Sequence, residues 1–362
     1  MDYIAIVLVG FSISFLAIGL SFPIANRIGL VDSPNERKQH QGSIPLIGGL
    51  GIFISVLVAS KIFVASSQVL NLYLISTALL LFIGILDDKY DLSVRIRIVS
   101  QVIIASILIF GAELHLSSLG YILHWFDLQL GYLGIFVTIV AVIGSINAFN
   151  MVDGIDGLAG MLSLVTFSSI AFLLHHSNSE WVFLPLLFIA AILAYLCFNL
   201  RWPLTSLRKV FMGDAGSMLI GLTVVWLLVI GVEADSPAFS PVTALYLIAM
   251  PLMDMAAIMI RRVKKGQSPF KPDRDHLHHI FERAGFSRKQ TLVRITLASA
   301  NIALIGILGE MLNIAESVMF ICFILLFGLY HRALAHSWIT MKWLRRKDVE
   351  PETVEAEKTE TV

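Results

Sequence analysis

Apolar residues fill this chain in long, uninterrupted runs separated by short polar connections. Eleven runs approach the length needed to cross about 30 Å of hydrocarbon. They lie near residues 4–22, 46–65, 70–86, 98–112, 131–149, 158–174, 181–199, 216–232, 240–260, 292–310 and 315–330. The pattern predicts an all-α, polytopic integral membrane protein with about eleven transmembrane helices, residues 1–340 forming a single membrane domain. Beyond Arg345-Arg346-Lys347 the chain turns acidic, polar and aperiodic, so residues 341–362 are expected to be a disordered cytoplasmic tail. Pro23 and Arg27 end the first run with no small-residue cleavage site after it, which favours an anchor over a signal peptide.

Composition agrees with this assignment. Hydrophobic residues make up 57% of the chain and charged residues only 14%, against roughly 25% charged in a soluble domain. The mean hydropathy is +0.82. Basic residues give the orientation, because short loops rich in Lys and Arg stay cytoplasmic. Counting alternate connections from the first, together with the tail, 24 of the 26 basic residues fall on one side. The connections near 66–69, 113–130, 175–180, 233–239 and 311–314 hold none. The N-terminus is therefore expected in the periplasm and the C-terminus in the cytoplasm. The formal net charge of zero gives no bulk attraction for nucleic acid. Cys197 and Cys322 both fall in apolar runs, which implies neither a disulfide nor a thiolate metal site.

The candidate acidic residues beside the apolar runs all lie on the cytoplasmic side. Asn147 to Gly157 (Asn-Ala-Phe-Asn-Met-Val-Asp-Gly-Ile-Asp-Gly) places Asp153 and Asp156 between two runs, in a connection without Lys or Arg. If the preceding helix continues a turn, Asn150, Asp153 and Asp156 form a stripe on one face. Carboxylates without local counter-ions repel unless a metal, a protonation change or a cation from another loop compensates. The run at 70–86 ends in Asp87-Asp88, with Asp91, Arg95 and Arg97 following. A carboxylate at membrane depth costs roughly 2.5–3.5 kcal/mol, so such residues pair, bind a cation or line an aqueous cleft. Asp88 and Asp91 would share a helical face if the helix persists. Residues 208–217 (Arg-Lys-Val-Phe-Met-Gly-Asp-Ala-Gly-Ser) put Asp214 in a glycine-rich turn at a helix start, where it either caps the helix or binds a metal. Asp254, two turns before Arg261, is either a structural partner of that arginine or a site residue.

Cations gather in two further cytoplasmic loops. Asn35, Arg37, Lys38 and His40 lie in a loop dense in turn formers that ends at Gly48-Gly49. Arg274, His276, His278 and His279 make a donor cluster suited to a diphosphate; zinc is the alternative, but there is no His-Glu-x-x-His signature. Oxygen ligands favour Mg²⁺, which takes one or two carboxylates and completes its octahedron with substrate phosphates and water. The chemistry that fits is phosphoryl transfer from a soluble nucleotide to something in the bilayer. No nucleotide-binding P-loop motif is present, which argues against an ATP-driven pump. The rival class, a transporter or lipid flippase, would place its acids near the midplane in paired broken helices.

Five motifs, the Pro-Asn-x-Arg-Lys-x-His loop, Asp87-Asp88, Asn-Met-Val-Asp-Gly-Ile-Asp-Gly, Phe-Met-Gly-Asp-Ala-Gly-Ser and His-Leu-His-His, resemble in order and spacing those of the polyprenyl-phosphate N-acetylhexosamine-1-phosphate transferases. The resemblance runs from residue 1 to about 340 and is nearest to the bacterial branch that uses UDP-N-acetylglucosamine (UDP-GlcNAc) and undecaprenyl phosphate. It implies transfer of GlcNAc-1-phosphate with release of UMP, initiating O-antigen or enterobacterial common antigen synthesis at the inner membrane; another UDP-N-acetylhexosamine is the alternative donor. It further implies Mg²⁺, or Mn²⁺, held by Asp214 and Asn150. Asp87 and Asp88 would position or activate the lipid phosphate, and Asp153 and Asp156 would act in catalysis or near the metal. Arg97, Arg37, Lys38, His40, Arg274, His276, His278 and His279 would bind substrate. The expected partners are the lipid bilayer, UDP-GlcNAc and undecaprenyl phosphate, with a homodimer left open and no nucleic acid.

Overall fold

The computed structural model describes residues 3–32, 42–270 and 276–336. Helices α1 (Tyr3–Ile28), α2 (Gly48–Phe63), α3 (Gln68–Tyr90) and α4 (Val94–Ser106) open the chain, α4 continuing through a π-helical turn, Ile107–Gly111. Between α1 and α2 a two-residue antiparallel ladder pairs β1 (Val31–Asp32) with β2 (Ile44–Pro45). After α5 (Leu133–Val152), α6 (Leu158–His176) and α7 (Phe183–Asn199) come α8 (Gly213–Glu233), α9 (Pro241–Leu247) and α10 (Ala249–Lys264). The short α11 (Leu277–Arg283), α12 (Arg288–Met311) and α13 (Glu316–Ala335) complete the bundle. Among the described residues nine helices are long and apolar enough to cross a membrane, ten if α9 and α10 count as one span.

Each of the eleven apolar runs is helical, but two depart from a simple crossing. α2 has only 16 residues, about 24 Å at 1.5 Å per residue, shorter than the hydrocarbon core. The run at 240–260, expected as one span, bends by 84° between α9 and α10. Pro251 is the local cause. It has no N–H to offer the Leu247 carbonyl four residues back, and that carbonyl instead accepts the Thr166 hydroxyl of α6 at 3.0 Å.

α8 is the axis of the molecule. It packs against α2, α3, α5 and α6, and every residue from Ala215 to Gly231 is buried. A helix apolar on all sides belongs in such a position. Small residues let its neighbours close on its first turns, as membrane helix interfaces generally require. A Cβ on Gly84 of α3 would stand 2.3 Å from the Ala215 Cα, and one on Gly49 of α2 would stand 2.3 Å from the Gly216 Cα. Backbone bonds from Gly48 N to Phe211 O and from Gly49 N to Met212 O, both 3.0 Å, fix the same approach. The α8 N-terminus, the C-termini of α3 and α5, and the start of α2 are thus held together at one end of the bundle.

At the other end, carboxylates close the long 112–132 connection. Glu233 accepts Ser117 N at 2.8 Å and Glu316 accepts Tyr121 N at 2.9 Å. A cavity of about 360 Å³ lies there between Tyr121, His124, Glu310 and Glu316, at the opposite end of the bundle from the Asp88 and Asp214 motifs.

Candidate functional site at the start of the buried helix

The first amides of a helix have no intrahelical acceptor, and α8 gets no cap from its own preceding residue, Met212. Asp88 of α3 supplies one from outside. Its Oδ1 accepts Asp214 N at 2.8 Å and its Oδ2 accepts Ala215 N at 3.2 Å, placing negative charge at the positive end of the α8 dipole. Gly213 is required twice over: its φ is +74°, and a Cβ would lie 2.6 Å from Asp88 Oδ2.

Asp87 faces elsewhere, since consecutive helical residues diverge by about 100°. Its buried carboxylate accepts Leu92 N at 2.9 Å and pairs with Arg97 Nη1 at 3.1 Å. Asp91 does not join Asp88 on a helical face: α3 ends at Tyr90, and Asp91 turns into left-handed backbone with φ 52°.

The stripe expected from Asn150, Asp153 and Asp156 is broken after its first member, because α5 ends at Val152 and Asp153 already has ψ 63°. Asn150, still helical, donates its amide to Asp214 Oδ1 at 2.8 Å and to Ser217 Oγ at 3.1 Å. Asp156 pairs with Lys209 Nζ at 2.6 Å. Asp153 is exposed, and the like charges of Asp214 and Asp156 act on it. Lys209, from the connection before α8, is the compensating cation from another loop. In the sequence Lys209 stands only in the motif before α8 and among the cytoplasmic basic residues, and neither position assigns it to Asp156.

The histidines arrive on α11 and land on the same connection. A Cβ on Gly154 would lie 2.3 Å from both Cε1 and Nε2 of His278, so that ring is seated where only glycine leaves room. Burial, then the positive charges of His279 and His276, pushes His278 down to about 3, which keeps it neutral at pH 7. Its buried Nε2 has no hydrogen-bond partner. His279 Nδ1 stands 3.4 Å from Glu282, which also meets Arg288 at 3.3 Å; burial outweighs Glu282 and lowers His279 as well. His276 Nδ1 is 2.7 Å from Asp254 Oδ2. Asp254 therefore turns to the histidine cluster rather than to Arg261. Neither Asp254 nor its second partner Tyr330 carried a motif that could assign it. Arg37, Lys38, His40 and Arg274 lie outside the described residues.

The donor set suits an ion that takes few protein ligands. Among the described residues no three His, Cys, Asp or Glu side chains converge as a metal-binding group. Asp214, half-buried, is steered by Asn150 and lies within electrostatic reach of the Asp87, Asp88 and Asp153 carboxylates. Mg²⁺ needs one or two carboxylates, with phosphate and water completing its shell. Asn150 presents its NH₂ to Asp214 here, so it orients that carboxylate, and the opposite side of the amide is the one that could ligate.

Comparison with known proteins follows the same lines. The model of glycosyl transferase family 4 matches residues 70–232, from α3 through α8. A Haemophilus influenzae protein named undecaprenyl-phosphate alpha-N-acetylglucosaminyl 1-phosphate transferase is 46% identical over 337 residues, 92% of this chain and 94% of its own. Proteins of the same name from Pasteurella multocida and Escherichia coli are 49% identical over 334 residues and 45% identical over 328. The first alignment covers 92% of this chain and 94% of the relative, the second 89% and 88%. Identity at this level over nearly the whole of both partners leaves one assignment: the chain belongs to glycosyl transferase family 4.

Proposed function

We propose that the protein transfers GlcNAc-1-phosphate from UDP-GlcNAc to undecaprenyl phosphate, giving undecaprenyl-diphospho-GlcNAc and UMP. The observation that carries this is the convergence of Asp88, Asn150, Asp153, Asp156, Asp214 and the histidine cluster at one end of a membrane-spanning bundle. The names of the relatives supply the acceptor and the transferred group, and UDP-GlcNAc is the donor that such a transfer implies. The site faces the cytoplasm of a bacterial inner membrane, on the side holding 24 of the 26 basic residues. The reaction is the first membrane step of O-antigen or enterobacterial common antigen synthesis.

In this mechanism an oxygen of the lipid phosphate attacks the β-phosphorus of the nucleotide sugar, and the bond to the α-phosphate oxygen breaks, releasing UMP. A phosphate monoester has its second pKa near 6, so the acceptor is mostly dianionic at pH 7 and needs no strong general base. Asp87 and Asp88 are accordingly assigned to positioning. Asp87 fixes Arg97, whose guanidinium has five N–H donors and spends one on that carboxylate, leaving others for the acceptor phosphate. Asp88 fixes the backbone of Asp214. Asp214, oriented by Asn150, would hold Mg²⁺, or Mn²⁺ in its place. When bound, the ion neutralises diphosphate charge and stabilises the departing UMP oxygen. Asp153 and Asp156 flank that position, and His276, His278 and His279 take the donor. Arg37, Lys38, His40 and Arg274 are assigned to substrate phosphates on their chemistry.

Purified protein given undecaprenyl phosphate, Mg²⁺ and a panel of UDP-N-acetylhexosamines is expected to release UMP most rapidly with UDP-GlcNAc, and only when lipid is present. Preference for another donor would overturn the substrate, and lipid-independent release would overturn the reaction. The seating of His278 gives a second expectation. Gly154→Ala should raise the KM for UDP-GlcNAc by about tenfold or more, because an overpacked contact costs roughly 1–3 kcal/mol; steady-state kinetics with donor varied would measure it. An unchanged donor KM would remove His278 from the donor site.

A further inference from the structure

Three donors, two from the start of α11 and one from α13, converge on one buried carboxylate that no motif accounts for. Asp254 of α10 is 3% exposed. Its Oδ2 meets His276 Nδ1 at 2.7 Å, while its Oδ1 accepts Leu277 N at 3.2 Å and the Tyr330 hydroxyl of α13 at 2.7 Å. Leu277 is the first residue of α11, so the carboxylate holds both the ring of His276 and the start of the helix that carries His278 and His279. The 84° bend before α10 sets the direction in which that helix leaves the membrane. The His276 and His278 rings lie nearly parallel, 13° apart in plane with centroids 5.7 Å apart. An error in the first ring is therefore passed directly to the second.

We propose that Asp254 is a positioning residue for donor binding, acting through His276 and supported by Tyr330. A carboxylate against Nδ1 fixes the ring plane and demands a proton on that nitrogen. An asparagine at 254 is nearly isosteric but has one acceptor oxygen where three donors converge. If that oxygen serves Leu277 and Tyr330, an NH₂ group faces His276 Nδ1 and drives the ring to the opposite tautomer. The proposal rests on the histidine cluster binding UDP-GlcNAc.

The test uses the full chain and measures KM and kcat separately for each substrate, with thermal unfolding as a control. Asp254→Asn should raise the KM for UDP-GlcNAc about tenfold or more, the range found when an orienting partner of a ligating histidine is lost. The KM for undecaprenyl phosphate should stay unchanged. Tyr330→Phe, which removes one hydrogen bond, should raise the donor KM about threefold. In a His276→Ala background, Asp254→Asn should add nothing to the donor KM. Full multiplication of the two effects would overturn the proposal, as would equal changes in both KM values with a lower unfolding temperature. If His276→Ala raises the donor KM and Asp254→Asn does not, only this proposal falls. If His276→Ala itself leaves the donor KM unchanged, the donor role of the histidines falls with it.

Discussion

Asp214→Ala is expected to reduce UMP release by about a thousandfold or more while leaving the folded protein intact. The size follows from the chemistry: one preorganised group aimed at developing charge is worth roughly 10²–10³ in rate, and a metal-dependent phosphoryl transfer that loses its ligand loses more. The fold survives because Asp214 serves the bundle through its backbone. Its N–H bonds to Asp88, and alanine keeps that N–H. The side chain bonds Asn150 and otherwise lies among like charges, so its removal relieves repulsion with Asp87, Asp88 and Asp153. Kinetics beside thermal unfolding would check both halves. Retention of a tenth of the activity would remove Asp214 from the centre of the site, and a collapse in unfolding temperature would make it structural.

Asp88→Ala should behave in the opposite way, losing activity and stability together. Its carboxylate is the external cap of a helix buried along nearly its whole length, and its loss leaves the Asp214 and Ala215 amides without their acceptor. A hydrogen bond to a charged group contributes roughly 1.5–3 kcal/mol, so the unfolding temperature should fall by several degrees. Activity should drop about a hundredfold, since a displacement near 1 Å at a reacting centre costs that much. Asp88→Asn, with one acceptor oxygen for two amides, should fall between. If Asp88→Ala lost activity at unchanged stability, Asp88 would act directly on substrate and not through the helix.

These two aspartates show how far the sequence could be read. The apolar runs were sufficient for the helices, because crossing hydrocarbon requires about twenty residues with every backbone group paired internally, and that demand is visible in one dimension. The acidic clusters at the run ends were equally visible, because carboxylates at membrane depth are costly. Their partners were not. That Asp88 caps α8, 125 residues away, depends on glycines at 84 and 213 admitting α3 to the α8 backbone. The Asn150 stripe failed because a three-residue spacing is meaningful only while the helix lasts, and α5 stops at Val152. The bend before α10 was written as Pro251, yet a proline in an apolar run reads equally well as a tolerated kink; the Thr166 hydroxyl that takes over the Leu247 carbonyl comes from α6. Asp254 reads equally as a partner of Arg261 or as a site residue, and only the packing of α10 against α13 brought Tyr330 to it. The helices themselves were legible, whereas the residue at which each one stops and the distant helix it meets required the fold.

The central claim is that the bond broken lies between the two phosphates of the donor, and the most direct measurement follows the β-phosphorus. UDP-GlcNAc carrying a radiolabel in its β-phosphate, incubated with the protein, undecaprenyl phosphate and Mg²⁺, should deliver label and sugar together to the lipid extract while the released nucleotide is unlabelled UMP. Label remaining in released UDP, with the sugar alone on the lipid, would contradict the account.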